Sequence, residues 1–319
     1  MPTSAEIVAL LSLQKLGGDI FVGQQPHSST LEKVYGGQLF GQAVVAARVT
    51  VEDPFRTAHS LQAYFLDAGR HGSPVHYHVD RLRDGRSFSA RSVLAIQDGR
   101  PLLRLMASFH VPEPGLSHAE PMPTVAPPDK LPSIQDVIRD RSTLPDEPWR
   151  REWDGLDIRY VPDNLANIRL HRPGRQQIWI RVCDPLPDDP ALHREVLTYL
   201  SDIGLLNTAL VPHGMVMGAP ELPRATLNHS VWLHAPARPD TWLLIDQRSP
   251  RAVGARALSF AEVFTAEGRH VASFAQEGLI RPRGALRQQL ELCAATVDGQ
   301  TLNGDGVLSS GDVTATGGQ

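Results

Sequence analysis

What most constrains the fold of this chain is a duplication. The stretches TAHSLQAYFL, Thr57 to Leu66, and ATLNHSVWLH, Ala225 to His234, each set His-Ser ahead of an apolar, strand-like run. Each is followed downstream by Ala-Ser-Phe, at Ala107 to Phe109 and at Ala272 to Phe274. The two separations differ by five residues, which one shortened loop absorbs. Such self-similarity is the mark of one supersecondary unit used twice.

The order of elements within each copy follows from local pattern. In the first, GGQLFGQAVVAARVTV carries Leu39, Ala43, Ala46 and Ala47 at helical spacing, with Gly36, Gly37 and Gly41 among them, which suits a helix packed closely on a sheet. The β-rich runs from Tyr77 to Phe109 are punctuated by Asp84-Gly85 and Asp98-Gly99, residues that supply the positive φ of a tight hairpin, so an antiparallel meander is expected. In the second copy LTYLSDIGLLNTALV reads as a helix and ATLNHSVWLH and TWLLIDQRS as strands. ALSFAEVFTAEGRHVASFAQEGLIRP reads as a hairpin turned at Glu267-Gly268. PEPGLSHAEPMPTVAPPDKLP is a proline-rich connector, and DGQTLNGDGVLSSGDVTATGGQ is too poor in apolar residues to order itself. The expected layout is a first unit over 1–115, a connector over 116–155, a second unit over 156–283 and a flexible tail over 284–319.

Composition removes several classes of function. With 319 residues, a formal net charge of −4 and a pI near 6.3, the chain has no basic excess for nucleic acid. Its two cysteines, Cys183 and Cys293, fall in no CxxC or zinc spacing, which excludes a disulfide framework and fits a reducing cytoplasm. No window approaches the roughly 20 apolar residues of a membrane span. There is no P-loop and no GxGxxG after a strand, and the nearest approach to a GxSxG elbow, Gly85-Arg86-Ser87-Phe88-Ser89, fails at its last position. His76, His78 and Asp80 share a strand face and read as a solvent-facing edge. The calcium-loop imitation from Thr301 to Asp312 has Thr301 where a carboxylate belongs. Neither a metal nor a cofactor is expected.

What remains is a polar set in the second unit: Asp202 at the start of its helix, Thr226 entering its first strand, Gln276 leaving its last. A carboxylate can take a proton from water while a hydroxyl and an amide hold that water, a general-base arrangement with no covalent step. Residue by residue the alternatives stand open: a helix cap, an ordinary strand residue, a polar strand face.

VYGGQLFGQAVVAA, HSLQAYFL, LRDGRSFSARSV, IQDGRPL, ASFHVPEPG, LPDDPALHREVLTYLSD, HSVWLH and ASFAQEGLIRP, taken together and in this order, resemble the acyl-CoA thioesterase II (TesB-like) family from about Phe21 to Arg283. The resemblance implies an α+β fold of two tandem hotdog units, each an antiparallel sheet wrapped around a long helix. It implies hydrolysis of an acyl-CoA substrate to a free acid and CoA, and a homo-oligomer. Matched through SD, AT before HS, and QEG, the family's water-organising Asp, Thr and Gln fall on Asp202, Thr226 and Gln276. In the first unit Arg56 and Val111 stand at the aligned positions of Thr226 and Gln276, so one active unit per chain is expected. His59 is a second-rank candidate, weighed against a hydrogen-bonded histidine at a sheet interface. Two departures stand out: Asn228 where the family reads Asp, and the residues beyond Arg283. The rivals are a hotdog enoyl-CoA hydratase, which would pair its Asp with a His, and an acyl-CoA-binding module without turnover.

Overall fold

Strand-forming runs dominate the chain, and the turns between them set how they pair. The computed structural model describes residues 3–25, 33–136, 155–161, 174–215 and 221–288, so the calcium-like string and residues 289–319 of the expected tail lie outside the described residues. The first half runs α1 (Ser4–Leu10), β1 (Gln14–Gly17), β2 (Ile20–Gly23), α2 (Gly36–Arg48), β3 (Thr57–Phe65), β4 (Val75–Asp84), β5 (Phe88–Gln97) and β6 (Arg100–His110). The second runs β7 (Leu156–Tyr160), β8 (Arg175–Val182), α3 (Pro190–Leu200), a 3-10 helix (Leu205–His213), β9 (Arg224–Leu233), β10 (Leu243–Val253), β11 (Arg256–Thr265) and β12 (His270–Ile280).

These twelve strands make one sheet in the order β1-β2-β4-β5-β6-β3-β9-β12-β11-β10-β8-β7. Read outward from the middle, β3-β6-β5-β4-β2-β1 matches β9-β12-β11-β10-β8-β7, so the two halves share one topology. The seam is made by the two His-Ser strands themselves, with Ser60 opposite Trp232 and Gln62 opposite Ser230. Each would be a bare edge in a lone half, and pairing them satisfies both rows of backbone groups. Their motifs are not in the same register: Ser60 faces Ser108, whereas the residue facing Ser273 is Trp232, two beyond Ser230.

Helix α2 packs on the sheet, and two of its glycines, Gly37 and Gly41, allow a close approach of α3 as well. A Cβ on Gly37 would lie 2.3 Å from the Tyr199 carbonyl oxygen, and one on Gly41 would lie 2.9 Å from Leu11 Cδ2 and 3.6 Å from the Glu195 carbonyl. The helices run antiparallel, since Gly37 at the start of α2 meets Tyr199 near the end of α3, whereas Arg48 in the last turn of α2 pairs with Glu195 at the middle of α3. Burial pushes the Glu195 carboxyl up to about 7 against the pull of Arg48. Around this helix pair Phe40, Leu61, Tyr77, Phe109, Tyr199 and Phe274 belong to one apolar core shared by both halves.

Two local expectations need correction. LTYLSDIGLLNTALV is not one helix: α3 starts upstream at Pro190, where the Asp189 carboxylate accepts from Ala191 N–H at 2.8 Å, and it ends at Leu200. Gly204 at φ +75° then turns the chain into the 3-10 helix. Asp202 therefore follows the end of a helix instead of starting one. Asp98 (φ +50°) and Gly99 (φ +77°) do make a tight two-residue turn between β5 and β6, but Gly85 has no such φ. Asp84 is engaged elsewhere: its carboxylate accepts from Arg91 Nη2 at 2.9 and 3.1 Å and from Ser89 Oγ at 2.6 Å.

Arg91, on the inner side of β5, is fully buried. Its guanidinium also donates to the Thr50 hydroxyl and carbonyl and to the carbonyls of Arg83 and Ala90. Removing the charge that balances a buried cation leaves it uncompensated, so Asp84→Asn is expected to lower unfolding stability by about 2 kcal/mol, the half-exposed carboxylate placing it below a fully buried pair. Urea unfolding checks this; an unchanged midpoint contradicts it.

The connector lies against the second half. Residues 111–127 have no regular secondary structure, yet Met122 and Val125 pack on Leu131, Val161, Trp179, Leu244 and Phe264, and Trp179 Nε1 donates to the Ala126 carbonyl at 2.9 Å. No helix among the described residues is long and apolar enough to cross a membrane.

Candidate active site

Asp202, Thr226 and Gln276 come from three elements and meet at one point. Thr226 Oγ1 donates to Asp202 Oδ1 at 3.2 Å. Gln276 Nε2 donates to the same carboxylate oxygen and, at 2.9 Å, to Thr226 Oγ1. The triangle is closed, and it fixes the Gln276 amide with its nitrogen toward the carboxylate.

A bulge is what aims Thr226. Between β12 and β9 the pairing runs Gln276 with His229 and Glu277 with Asn228, then skips Leu227, so Gly278 faces Thr226. Strict alternation would have sent Thr226 to the same face as Asn228; the extra residue turns it inward beside Gln276. Gly278 has no side chain to spare, since a Cβ there would lie 2.4 Å from Leu206 Cδ2 of the 3-10 helix.

The fourth wall comes from the other half of the chain. A Cβ on Gly36 would lie 2.6 Å from Asp202 Oδ2 and 3.2 Å from Phe65 Cε1, so the first turn of α2 stands directly against the carboxylate. The Gly37 backbone N–H donates to Asp202. The Tyr35 hydroxyl, at the head of α2, donates to the Tyr199 carbonyl at 3.0 Å, and burial and then the Asp202 charge hold its pKa well above the usual tyrosine value. Sequence reasoning missed Tyr35, Gly36 and Gly37 as site residues; the available signal was a helix opening on Tyr-Gly-Gly with no side-chain cap.

Asp202 is only partly exposed, and burial pushes its carboxyl up to about 6 against hydrogen bonds from Gln276, Thr226 and Gly37 that pull it down. The negative end of α3 adds no help to a carboxylate placed there, whereas the positive end of α2 does. The result is a carboxyl that titrates near neutrality, with Oδ1 tied to its two neighbours and Oδ2 turned to the α2 N-terminus.

His59 is not brought to this point. Its Nε2 lies 2.9 Å from Ser108 Oγ, its ring packs edge-on against Phe88 and His110, and burial followed by His110 lowers its pKa. His229 shares the inner face with Gln276 but reaches Ser201 Oγ at 2.8 Å, and burial drives it down to about 3, leaving it neutral. In the first half, Arg56 donates to the carbonyls of Gly85, Arg86 and Phe88. Asn228 donates from Nδ2 to Glu277 Oε2 at 3.0 Å on the opposite face from the triangle; an aspartate there would confront the glutamate. Among the described residues no three His, Cys, Asp or Glu side chains gather as metal ligands.

A family model described as acyl-CoA thioesterase matches residues 166–279, and one described as acyl-CoA thioesterase N-terminal domain matches residues 25–110. Acyl-coenzyme A thioesterase 8 of Rattus norvegicus is 35% identical, over 88% of this chain and 90% of its own. The chain belongs to the acyl-CoA thioesterase family. Acyl-CoA thioesterase 2 of Haemophilus influenzae is 34% identical over 86% of this chain and 96% of its own. The crystal structure of an acyl-CoA thioesterase II, TesB2, from Mycobacterium marinum superposes with a TM-score of 0.73 at 39% identity, covering 87% of this chain and 99% of that one. A protein from Alicyclobacillus acidocaldarius described as having a hot dog fold superposes with a TM-score of 0.71 at 19% identity, covering 88% of this chain and 99% of that one, which places the present sheet and helices in the hotdog class. The match over residues 166–279 spans Asp202, Thr226 and Gln276.

Proposed function

We propose that this chain hydrolyses acyl-CoA thioesters to a carboxylic acid and CoA at one site, built by two tandem hotdog units and centred on Asp202, Thr226 and Gln276. The observation that carries the reading is the closed triangle with a carboxyl near pKa 6, set against the N-terminus of the opposite half's helix. Membership of the family and the names of its relatives support the substrate class.

Asp202 Oδ2 draws a proton from a water as the water oxygen forms its bond to the thioester carbonyl carbon. Thr226 and Gln276 hold Oδ1 and so orient the carboxylate, and the same polar groups bound the water's position. Negative charge gathers on the carbonyl oxygen, where the positive end of the α2 dipole stabilises it. When the tetrahedral intermediate collapses, the C–S bond breaks and the CoA sulfur leaves with the proton held by Asp202. No covalent acyl-enzyme is formed.

The unit limits 1–115, 116–155, 156–283 and 284–319, the homo-oligomer and the cytoplasmic location belong to the same reading, supported by the motif resemblance and, for the location, by the two-cysteine composition. A hydratase is disfavoured because the residues hydrogen-bonded to Asp202 include no histidine.

The test is release of free thiol from fatty acyl-CoA, followed across pH. Because the carboxylate must be ionised to act, kcat is expected to fall as pH drops, with an acid limb centred near 6. Absence of thiol release would mark a binding module, and a limb near 4 would point away from Asp202 as the base.

A further inference from the structure

The polar triangle does not end at Gln276. On the inner face of the second half, cross-strand pairing puts His229 of β9 beside Gln276 of β12, and Gln276 beside Ser259 of β11. Gln247 of β10 faces Ala261, two residues along from Ser259, and so lies diagonally next on the same face. All four are buried, between 0% and 1% exposed. Each also carries a polar atom with no hydrogen-bond partner: His229 Nδ1, Gln276 Oε1, Ser259 Oγ and Gln247 Nε2. The 3-10 helix roofs this end of the row, where Thr208 Oγ1 donates to Gln247 Oε1 at 2.7 Å and so turns the Gln247 amide nitrogen toward its neighbours.

Four unpaired polar atoms on four adjacent strands are not chance surface polarity. Buried polar groups in native proteins are overwhelmingly satisfied, and a group of donors and acceptors that converge without meeting is the setting in which ordered water is found. The chemistry matches: one imidazole nitrogen, one amide oxygen, one hydroxyl and one amide nitrogen offer both accepting and donating partners, which is what a short chain of waters needs.

We infer that this row binds a file of ordered water running from Gln276 across Ser259 to Gln247, and that Ser259 is a positioning residue for hydrolysis. The inference rests on the proposed thioesterase reading. Gln276 can hold Thr226 and Asp202 only with its nitrogen facing them, and the flipped amide would set Oε1 against a carboxylate oxygen. A water bridging Ser259 Oγ and Gln276 Oε1 locks the correct orientation from behind. The hydroxyl thus acts through Gln276, without touching the substrate.

The experiment compares Ser259→Ala and Ser259→Thr with wild type in thiol release from a fatty acyl-CoA and in thermal unfolding. If the row is hydrated, Ser259→Ala lowers kcat about 10-fold with KM within about two-fold, because the amide is misaligned while substrate contacts stay, and Ser259→Thr, which keeps the hydroxyl, restores most of the rate. If the row is dry, deleting an unsatisfied hydroxyl raises the melting temperature and leaves kcat and the pH profile unchanged, and the inference is overturned. A crystal structure with no ordered solvent between Ser259 and Gln276 would overturn it equally. Wild-type protein that releases no thiol from any acyl-CoA would instead defeat the thioesterase reading, while the crystallographic arm would still decide the water file.

Discussion

Asp202→Asn is expected to lower kcat for acyl-CoA hydrolysis by about 1,000-fold, within the range that a positioned general base contributes. Asparagine keeps an oxygen for Thr226 and Gln276 to donate to, so the triangle's shape survives and KM should hold within a few-fold. What disappears is the group able to take a proton at neutral pH. The stability prediction has the opposite sign. The folded-state pKa of Asp202 is raised to about 6 by burial, above its ordinary value of 3.8, so the native state prefers the proton more than the unfolded state does. Asp202 therefore costs stability as pH rises from about 4 through about 6, and the cost is constant above that. A neutral asparagine escapes it, so at pH 7.5 the variant should melt no lower than wild type. Steady-state thiol release and a melting curve on the same preparation check both halves. A variant that retains wild-type kcat, or one that loses activity only because it unfolds, refutes the assignment of Asp202 as base.

Much of this architecture was legible in the sequence because its signals are local. Period-two runs and Asp98-Gly99 mark strands and a hairpin within ten or so residues of each other, and the repeated His-Ser and Ala-Ser-Phe expose the duplication. The seam was not legible: pairing of Ser60 with Trp232 joins residues far apart in sequence, and nothing in either strand announces its partner. Nor was the facing of Thr226, since a bulge at Leu227 overrides the alternation on which any strand reading depends. Asp202 was assigned to the wrong end of a helix because Pro190 and Asp189, which start α3, lie before the apolar run that suggested it. The resemblance supplied the three residue identities, whereas the geometry adds what no single motif contains, namely that the first turn of α2 in one half stands against Asp202 of the other.

That crossing of halves makes Gly36→Ala the sharper test of how the site is assembled. Gly36 is the first residue of α2 and has no positive φ, so alanine is compatible with its backbone and the exchange by itself does not disfavour the helix. The added methyl, however, would sit 2.6 Å from Asp202 Oδ2 and 3.2 Å from Phe65 Cε1. Either the carboxylate swings away from Thr226 and Gln276, or α2 shifts back and withdraws both its hydrogen bond to Asp202 and its positive end from the carbonyl oxygen. In both cases the side of the carboxylate left free by the triangle is taken by carbon, where the proposed mechanism puts the attacking water. The expected result is a loss of about 100-fold in kcat or more, since displacements near 1 Å in a catalytic constellation carry penalties of that size. Gly115→Ala, at an exposed glycine with no positive φ and nothing within 4 Å of the added methyl, serves as the control for a glycine substitution away from the site. If Gly36→Ala keeps the wild-type rate while Asp202→Asn does not, the base is correctly assigned but the water approaches from another side of it, and α2 has no part in the chemistry.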